Sequence, residues 1–158
     1  MILVTLGTQD KPFPRILSAL EAFKEKGLIN DEIWVQSGYT QFSSNILNIK
    51  DYYSQIELDE LRQKADLIIT HAGVGSILDS LKFKKKVIGV ARLKQYGEHA
   101  NDHQYEILDV FSKDGYILRC DNFDDLANII QSANKFTPKN YPFDNSKVLE
   151  TILNAINN

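Results

Sequence analysis

Short apolar runs rich in β-branched residues alternate along the chain with segments whose apolar residues recur at helical spacing. Several of these runs are apolar at successive positions, which is typical of strands in a parallel sheet covered by helices on both faces. We predict strands at 2–6, 32–36, 66–70, 86–90 and 116–119. The repeated order of strand and helix predicts one doubly wound α/β domain with a mainly parallel sheet over residues 1–158.

Helices are predicted between these strands, at 14–26, 58–65, 76–83, 99–111 and 123–133, with a last one at 146–156. The first has apolar residues at helical spacing and is followed by Gly27, a suitable C-terminal cap. The last carries an apolar stripe that suits packing on its own sheet or against a partner. That stripe is Val148, Leu149, Ile152 and Ile156.

Composition excludes several classes of function. A chain of 158 residues, 43% hydrophobic and 25% charged, is long enough for one core. The net charge of -3 argues against a nucleic-acid binder, and the single cysteine, Cys120, allows no disulfide within the chain. No apolar stretch approaches the ~20 residues of a membrane helix, and the first residues resemble a buried strand rather than a signal peptide. We therefore expect a cytoplasmic domain.

The loop after the first predicted strand reads LGTQDKPF and places Gly7 and Thr8 at the carboxyl end of that strand. A glycine lets the backbone approach an anion, and a hydroxyl with the free N–H groups of the next turn can hold a phosphate. Many strand-to-helix turns also need a glycine for the turn alone, so both interpretations stay open. The loop is not a Walker loop, because no GKS or GKT follows.

The stretch ITHAGVGSILDS has His71 at the tip of a predicted strand. Gly73 and Gly75 leave backbone N–H groups uncovered at a helix start, and Ser76 is a candidate N-cap or phosphate donor. These residues predict an anion site. Asp79 lies one turn along the helix and can either accept hydrogen bonds from a ribose or act as a first-turn acid that complements the helix dipole.

GEHANDHQ, residues 97–104, contains two of the chain's three histidines. His99 and His103 are four apart, which on a helix would place both imidazoles on one face, as a zinc pair requires. The mixed donors and acceptors of the whole stretch match a ring of sugar hydroxyls better than a metal ion. We therefore expect a loop and helix start that bind a sugar. For Glu98, Asn101 and Glu106 individually, the alternative is a polar side chain that is simply solvated at the surface.

Together, VTLGTQDKPF, THAGVGSILD and GEHANDHQ resemble in order and spacing the donor-nucleotide motifs of the glycosyltransferase family 28 C-terminal domain. The resemblance covers about residues 1–135. More narrowly, the chain is similar to small catalytic subunits of two-subunit UDP-sugar transferases, of the dolichol-linked GlcNAc type and of the bacterial capsule and exopolysaccharide galactosyltransferase type. The resemblance implies a Rossmann-like domain equivalent to the C-terminal, donor-binding half of a GT-B glycosyltransferase.

The resemblance also implies which residues bind the donor. His71 would face the diphosphate, and Asp79 would hold the ribose hydroxyls. The residues matched to UDP binding are Gly7, Thr8, His71, Gly73, Gly75, Ser76 and Asp79. The residues matched to the donor sugar are Glu98, His99, Asn101, Asp102, His103 and Gln104.

The reaction implied by the resemblance is an inverting, metal-independent transfer of a hexose, such as galactose or GlcNAc, from a UDP-sugar. The acceptor would be a lipid-linked saccharide in cell-surface polysaccharide synthesis, and no cofactor is expected. A membrane-anchored partner subunit would carry the acceptor site and hold the chain at the inner face of the membrane. The general base would come either from the partner or from this chain, where His103 and Asp10 are the candidates.

Two alternative functions follow from the same residues. One is a non-catalytic module that binds a nucleotide sugar without turnover. The other is an epimerase-type enzyme, which shares the GT-B fold and also needs both halves. A redox Rossmann enzyme is disfavoured, because no GxGxxG follows the first strand.

Overall fold

The structure is a computed structural model that describes residues 1–144 together with residues 146, 150 and 153. Its strands are β1 (Ile2–Thr5), β2 (Ile33–Gln36), β3 (Asn48–Lys50), β4 (Leu67–His71), β5 (Lys86–Val90) and β6 (Leu118–Cys120). They form one six-stranded sheet in the order β3-β2-β1-β4-β5-β6. All five pairings are parallel, which confirms the predicted doubly wound α/β fold.

Helices cover both faces of this sheet. They are α1 (Pro14–Glu25), α2 (Gln55–Lys64), α3 (Val74–Lys82), α4 (Gln104–Lys113) and α5 (Leu126–Ser132). Successive strand residues point to opposite faces, so Ile88 packs in a core cluster with α1 and α5, while Val87 packs with α3 and α4. No helix among the described residues is both long and apolar enough to cross a bilayer.

The five predicted strands are confirmed to within two residues at each end, but β3 was not predicted. This strand has only three residues, two of them exposed, and it pairs with β2 alone at the edge of the sheet. So short a polar segment carries neither an apolar run nor a clear alternation. Of the predicted helix at 146–156 only residues 146, 150 and 153 are described, and its apolar stripe lies outside the described residues.

Four helices begin elsewhere than predicted: α3 two residues earlier, α5 after a 3-10 turn (Phe123–Asp125), and α2 and α4 for clear local reasons. α2 begins at Gln55 instead of residue 58, because Ser54 and Glu57 form a capping box: Ser54 Oγ accepts from Glu57 N–H at 3.2 Å, and Glu57 Oε2 accepts from Ser54 N–H at 2.7 Å. α4 begins at Gln104 instead of residue 99, after a 3-10 turn (Lys94–Tyr96) and a left-handed Gly97. Most of GEHANDHQ is therefore a loop.

We expect Gly89→Ala to destabilise the fold. A Cβ atom at Gly89, in β5, would lie 2.2 Å from Leu108 Cδ2 and 3.1 Å from Ile117 Cδ1, both in a packed core. Overpacking of this kind costs about 1–3 kcal/mol of unfolding free energy, which urea unfolding measures. Gly75→Ala is the matched control, because nothing lies within 4 Å of its Cβ position and alanine favours the helix. Equal losses in both variants would contradict the packing argument.

Candidate functional site

The loops after β1 and β4 meet at the point where the order of the sheet reverses. β1 and β4 are neighbours, and their connections leave in opposite directions, which is where doubly wound sheets bind ligands. The ring of His71, the last residue of β4, lies between two glycines. A Cβ atom at Gly7 would be 2.5 Å from His71 Cε1, and one at Gly73 would be 2.5 Å from Nε2. Gly7 also has a positive φ of 75°.

The loop after β2 approaches the same place. A Cβ atom at Gly38 would lie 2.3 Å from the carbonyl oxygen of Gly7, and Gly38 has a positive φ of 58°. The loops after β1 and β4 thus meet at the imidazole of His71, and the loop after β2 packs against the backbone of the β1 loop. The structure therefore brings Gly7 of the first motif against His71 and Gly73 of the second.

His71 is held as a neutral imidazole. Burial lowers the pKa of the ring from 6.5 to about 4, with a further lowering by the positive charge of Arg92, and the carbonyl of Thr5 acts in the opposite direction. Nδ1 lies 3.4 Å from Thr5 O, an atom that can only accept. In the neutral ring, this contact places the proton on Nδ1 and leaves Nε2 as an acceptor.

The amino end of α3 presents backbone N–H groups at this edge. Gly73 is the N-cap, and the first intrahelical bond runs from Ile77 N–H to Gly73 O at 3.1 Å. The amides of residues 74–76 precede it and point out of the helix start, where an anion is favoured. Ser76 is the third helical residue, so the predicted N-cap role of Ser76 is wrong, whereas its phosphate contact stays a prediction.

Asp79 lies in the second turn of α3. It is therefore not a first-turn acid, and the helix-dipole interpretation fails. Oδ1 accepts from Lys82 Nζ at 3.0 Å, and Oδ2 lies 3.9 Å from Nη2 of Arg62, a buried residue of α2 that also pairs with Asp59 at 2.7 Å. The carboxylate is 44% exposed, which leaves room for a further donor such as a hydroxyl. The ribose role stays a prediction.

His99 and His103 do not share a helix face, because α4 begins after both of them. The zinc interpretation therefore loses its geometric basis. His99 Nδ1 accepts from Asn101 N–H at 3.2 Å, and Asn101 Oδ1 accepts from His103 N–H at 3.2 Å, so the loop is held by its own polar groups. Among the described residues, no group of three acidic, histidine or cysteine side chains is placed to hold a metal ion.

Two of the residues matched to the sugar are buried. Glu98 is 2% exposed, and its carboxylate accepts from Arg15 Nε at 2.8 Å and from Leu93 N–H at 3.0 Å. Gln104 Oε1 accepts from Arg92 N–H at 2.8 Å. Glu98 is committed to internal contacts, whereas the amide nitrogen of Gln104 is available for a ligand at the start of α4.

The other predicted residues lie at the surface of the same edge. Asp102 is exposed, and its Oδ1 accepts from Lys94 N–H at 2.8 Å. Thr8 and Asp10 are exposed in the loop after β1. His103 is the N-cap residue of α4, and its Nδ1 lies 3.4 Å from Glu106 Oε2. Asp10 and His103 are thus both accessible, as a general base must be.

Sequence reasoning missed four residues of this edge. Arg15 and Arg92 belong to the ion-pair network around Glu98. No local sequence motif predicts this role. Tyr39 and Tyr52 follow β2 and β3, are 56% and 45% exposed, and pack edge to face with ring centroids 6.4 Å apart. Two exposed tyrosines after successive strand ends were the available signal.

A cavity of about 440 Å³ lies at this edge, beside the loop that follows β5. Its lining includes Arg15, Tyr96 and Tyr105. A second cavity, of about 690 Å³, lies at the opposite edge, where Ile2, Leu67 and Lys86 begin their strands. Since the converging loops, the helix start and His71 all lie at the carboxyl ends, the larger volume of the second cavity does not make it the candidate site.

The chain matches one protein family over almost its whole length, and individual relatives over part of it. Residues 1–157 match the model of the glycosyltransferase family 28 C-terminal domain. The UDP-N-acetylglucosamine transferase subunit ALG13 of Candida glabrata is 33% identical over 111 residues, 65% of this chain and 48% of that protein. The human protein of the same name is 35% identical over 79 residues, 50% of this chain and 7% of that protein. The chain thus spans half or less of these relatives.

Solved structures share the fold. The solution structure of ALG13 superposes with a TM-score of 0.62 at 22% identity, covering 96% of this chain and 94% of that one. Acinetobacter baumannii MurG superposes with a TM-score of 0.56 at 15% identity, covering 96% of this chain and 44% of the larger protein. A likeness at this identity concerns the fold alone.

Acidification should destabilise the wild-type chain more than the His71→Gln variant. The pKa of His71 is about 4 in the folded chain against 6.5 for an ordinary histidine. The unfolded chain therefore binds a proton that the folded chain does not, and stability falls as pH drops from about 6.5 to 4. His71 should account for roughly 2–3 kcal/mol of this loss, measured by urea unfolding at several pH values.

His103→Gln is the control for the His71 experiment, because it removes an exposed histidine from the same edge. Its unfolding free energy should follow the wild-type dependence on pH. Parallel curves for the wild type and His71→Gln would show that His71 protonates as easily in the folded chain as in the unfolded one, and would contradict the assignment.

Proposed function

This chain belongs to the glycosyltransferase family 28 C-terminal domain family, and from that premise we propose that it binds a UDP-sugar and transfers its hexose together with a partner subunit. The acceptor is a lipid-linked saccharide. GlcNAc is the hexose favoured by the names of the relatives, both of them UDP-N-acetylglucosamine transferase subunits. Those names give no support to the capsule and exopolysaccharide roles.

The observation that carries the proposal is the packing of His71 between Gly7 and Gly73. The two glycines place no side chain beside the ring of His71, so that a diphosphate can approach the backbone atoms of both loops. The amides of residues 74–76 would then donate to the phosphate oxygens, and the amino end of α3 would stabilise the charge that grows on the leaving UDP.

His71 contributes a group that responds to the diphosphate. In the free chain the ring is neutral, with a pKa of about 4 and Nε2 unprotonated. A diphosphate against Nε2 raises this pKa, because the anion favours the imidazolium, and the protonated ring can then donate to a phosphate oxygen. Amides, a helix dipole and this imidazole together supply the stabilisation that a metal ion gives in other transferases, so the reaction is metal-independent.

Other residues near this end of the sheet would bind the ribose, the base and the sugar of the donor. Asp79 accepts from the ribose hydroxyls, and the exposed pair Tyr39 and Tyr52 offers aromatic surface for the base. Gln104 and His103 at the start of α4 hydrogen-bond the sugar hydroxyls. Asn101 and Asp102 extend the same set of polar groups.

The acceptor needs a second wall. One sheet edge leaves the anomeric carbon open to water, and transfer requires an oriented acceptor and a closed cleft. The relatives are named as subunits, which fits a partner that supplies this wall. We place the acceptor site in a membrane-anchored partner at the inner face of the membrane, and the general base either there or at Asp10 or His103. With the base opposite the leaving UDP, the transfer inverts the anomeric centre.

Two other functions stay as alternatives. A non-catalytic module would bind UDP-sugar but show no turnover with any partner. An epimerase-type enzyme would turn over UDP-sugar without an acceptor. Adding the acceptor separates all three possibilities in one assay.

Asp79→Ala should weaken UDP binding, whereas Gln104→Ala should weaken binding of UDP-GlcNAc and leave UDP almost unchanged. Each loss should be roughly 1–3 kcal/mol, the cost of a lost hydrogen bond to a ligand hydroxyl, and calorimetry with both ligands measures it. Asp59→Ala is the matched control, because Asp59 also pairs with Arg62 and lies on α2. If Asp59→Ala weakens UDP as much as Asp79→Ala does, the effect comes from Arg62 and the ribose role is refuted.

The purified chain should bind UDP-GlcNAc yet transfer little sugar until a membrane-anchored partner is added. The reason is the missing second wall, and the measurement is transfer of labelled GlcNAc to a lipid-linked saccharide with and without the partner. EDTA should leave the rate unchanged if helix amides replace a metal. Full transfer by the chain alone would refute the two-subunit proposal, and loss of activity in EDTA would refute metal independence.

A further inference from the structure

Arg92 is a buried cation that joins two loops of the candidate site. It follows β5 and is 1% exposed. Its Nη2 donates to Leu6 O at 2.5 Å and its Nη1 to Lys11 O at 2.5 Å, both in the loop after β1. Nη1 also lies 3.4 Å from Glu98 O, and the backbone N–H of Arg92 donates to Gln104. The Arg92 side chain thus bridges two loops: the loop after β1, which contains Gly7 and is called the glycine loop below, and the loop that precedes α4.

Glu98 ties the second of these loops to α1. Its carboxylate accepts from Nε and Nη2 of Arg15 at 2.8 and 2.9 Å, a bidentate pair, and from Leu93 N–H at 3.0 Å. Bidentate arginine–carboxylate pairs fix both partners in orientation as well as in distance. The position of the loop therefore depends on Arg15 and Arg92 together.

The network carries an unbalanced positive charge. Arg15 and Arg92 are two guanidinium groups, and Glu98 is the one carboxylate that the described contacts give them. The ring of Phe13 lies 5.6 Å from the guanidinium of Arg15 and 5.1 Å from that of Arg92, which adds a weaker stabilisation to both. Arg92 Nε is buried without a hydrogen-bond partner among the described residues.

Such an arrangement is a costly way to stabilise a fold. A buried cation with incomplete pairing opposes folding, and well-packed apolar residues in the place of a buried ion pair are often neutral or stabilising. The positive charge of Arg92 also acts on the candidate site, because it is the second cause, smaller than burial, of the lowered pKa of His71. Both facts favour a role in ligand binding over a role in stability alone.

We propose that Arg92 is a positioning residue for donor binding, which locks the glycine loop to the loop before α4 and favours the diphosphate through the net positive charge it shares with Arg15 and Glu98. The proposal rests on the proposed function, in which the diphosphate of a UDP-sugar lies at His71. The charge acts through space, since the guanidinium donates to the backbone carbonyls of Leu6 and Lys11 rather than into the cleft.

The test compares three ligands that differ in charge: UDP, UMP and uridine. Arg92→Met removes charge and donors, whereas Arg92→Lys keeps the charge and loses the planar fork. The Arg92→Met variant should bind UDP on the order of tenfold more weakly, UMP less so, and uridine within about twofold of the wild type. Arg92→Lys should keep the wild-type preference for UDP over uridine. Arg119→Met is the control, an arginine on β6 paired with Asp109 and Asp121.

Equal weakening of all three ligands by Arg92→Met would refute the electrostatic part, because loss of shape alone has no preference for charge. Weakening of UDP by Arg119→Met to the same extent would refute it as well. If the wild-type chain binds none of the three ligands, the proposed function itself fails, and the electrostatic part fails with it.

Amide hydrogen exchange tests the positioning part without any ligand. Arg92→Met should speed exchange in residues 7–13 and 94–103 together, whereas exchange in β1 and β4 should stay within about twofold of the wild type. Arg92→Lys should show a smaller change in the same two segments. Unchanged exchange, or a change in only one segment, would overturn the proposed lock between the loops. Faster exchange throughout the sheet would assign Arg92 to stability instead.

Discussion

The rest of the site depends on the close approach of two backbone loops to one imidazole, that of His71. Gly7, Gly38 and Gly73 each lie where a Cβ atom would meet His71 or a carbonyl oxygen at 2.3–2.5 Å. The contact requires β1, β2 and β4 to end at the same level, which parallel pairing in register provides. The start of α3, the exposed Tyr39 and Tyr52, and the loop before α4 all lie at these same carboxyl ends of the strands.

The sequence predicted the layers and the edge of the site because the relevant signals are local. Strands buried on both faces are apolar throughout, and the carboxyl ends of parallel strands share one edge, so motifs distant in the chain could be placed together. The predicted start of α4 was wrong, because the 3-10 turn and the left-handed Gly97 before it show no helical spacing of apolar residues. The bonds from Arg92 to Lys11 and Leu6 span 81 and 86 residues, and no window of sequence contains both ends.

Under the proposed function, backbone amides, guanidinium groups and one imidazole attract the diphosphate. The amides lie at the start of α3, the guanidinium groups are those of Arg15 and Arg92, and burial lowers the pKa of His71 to about 4, so that its ring is neutral in the free chain. The proposed function thus gives this end of the sheet a steady attraction for phosphate and one imidazole whose charge can respond to it.

The length of the Arg92 contacts has a consequence for the order of folding. Helices and neighbouring β-α units form from residues close in the chain, whereas a bond across 81 or 86 residues can form only after β1, β4 and β5 lie side by side. The loops of the site are therefore among the last parts of the chain to settle. Under the proposed function, a chain that retains a UDP-sugar has already completed its sheet, so ligand retention during synthesis would distinguish finished molecules from partly folded ones.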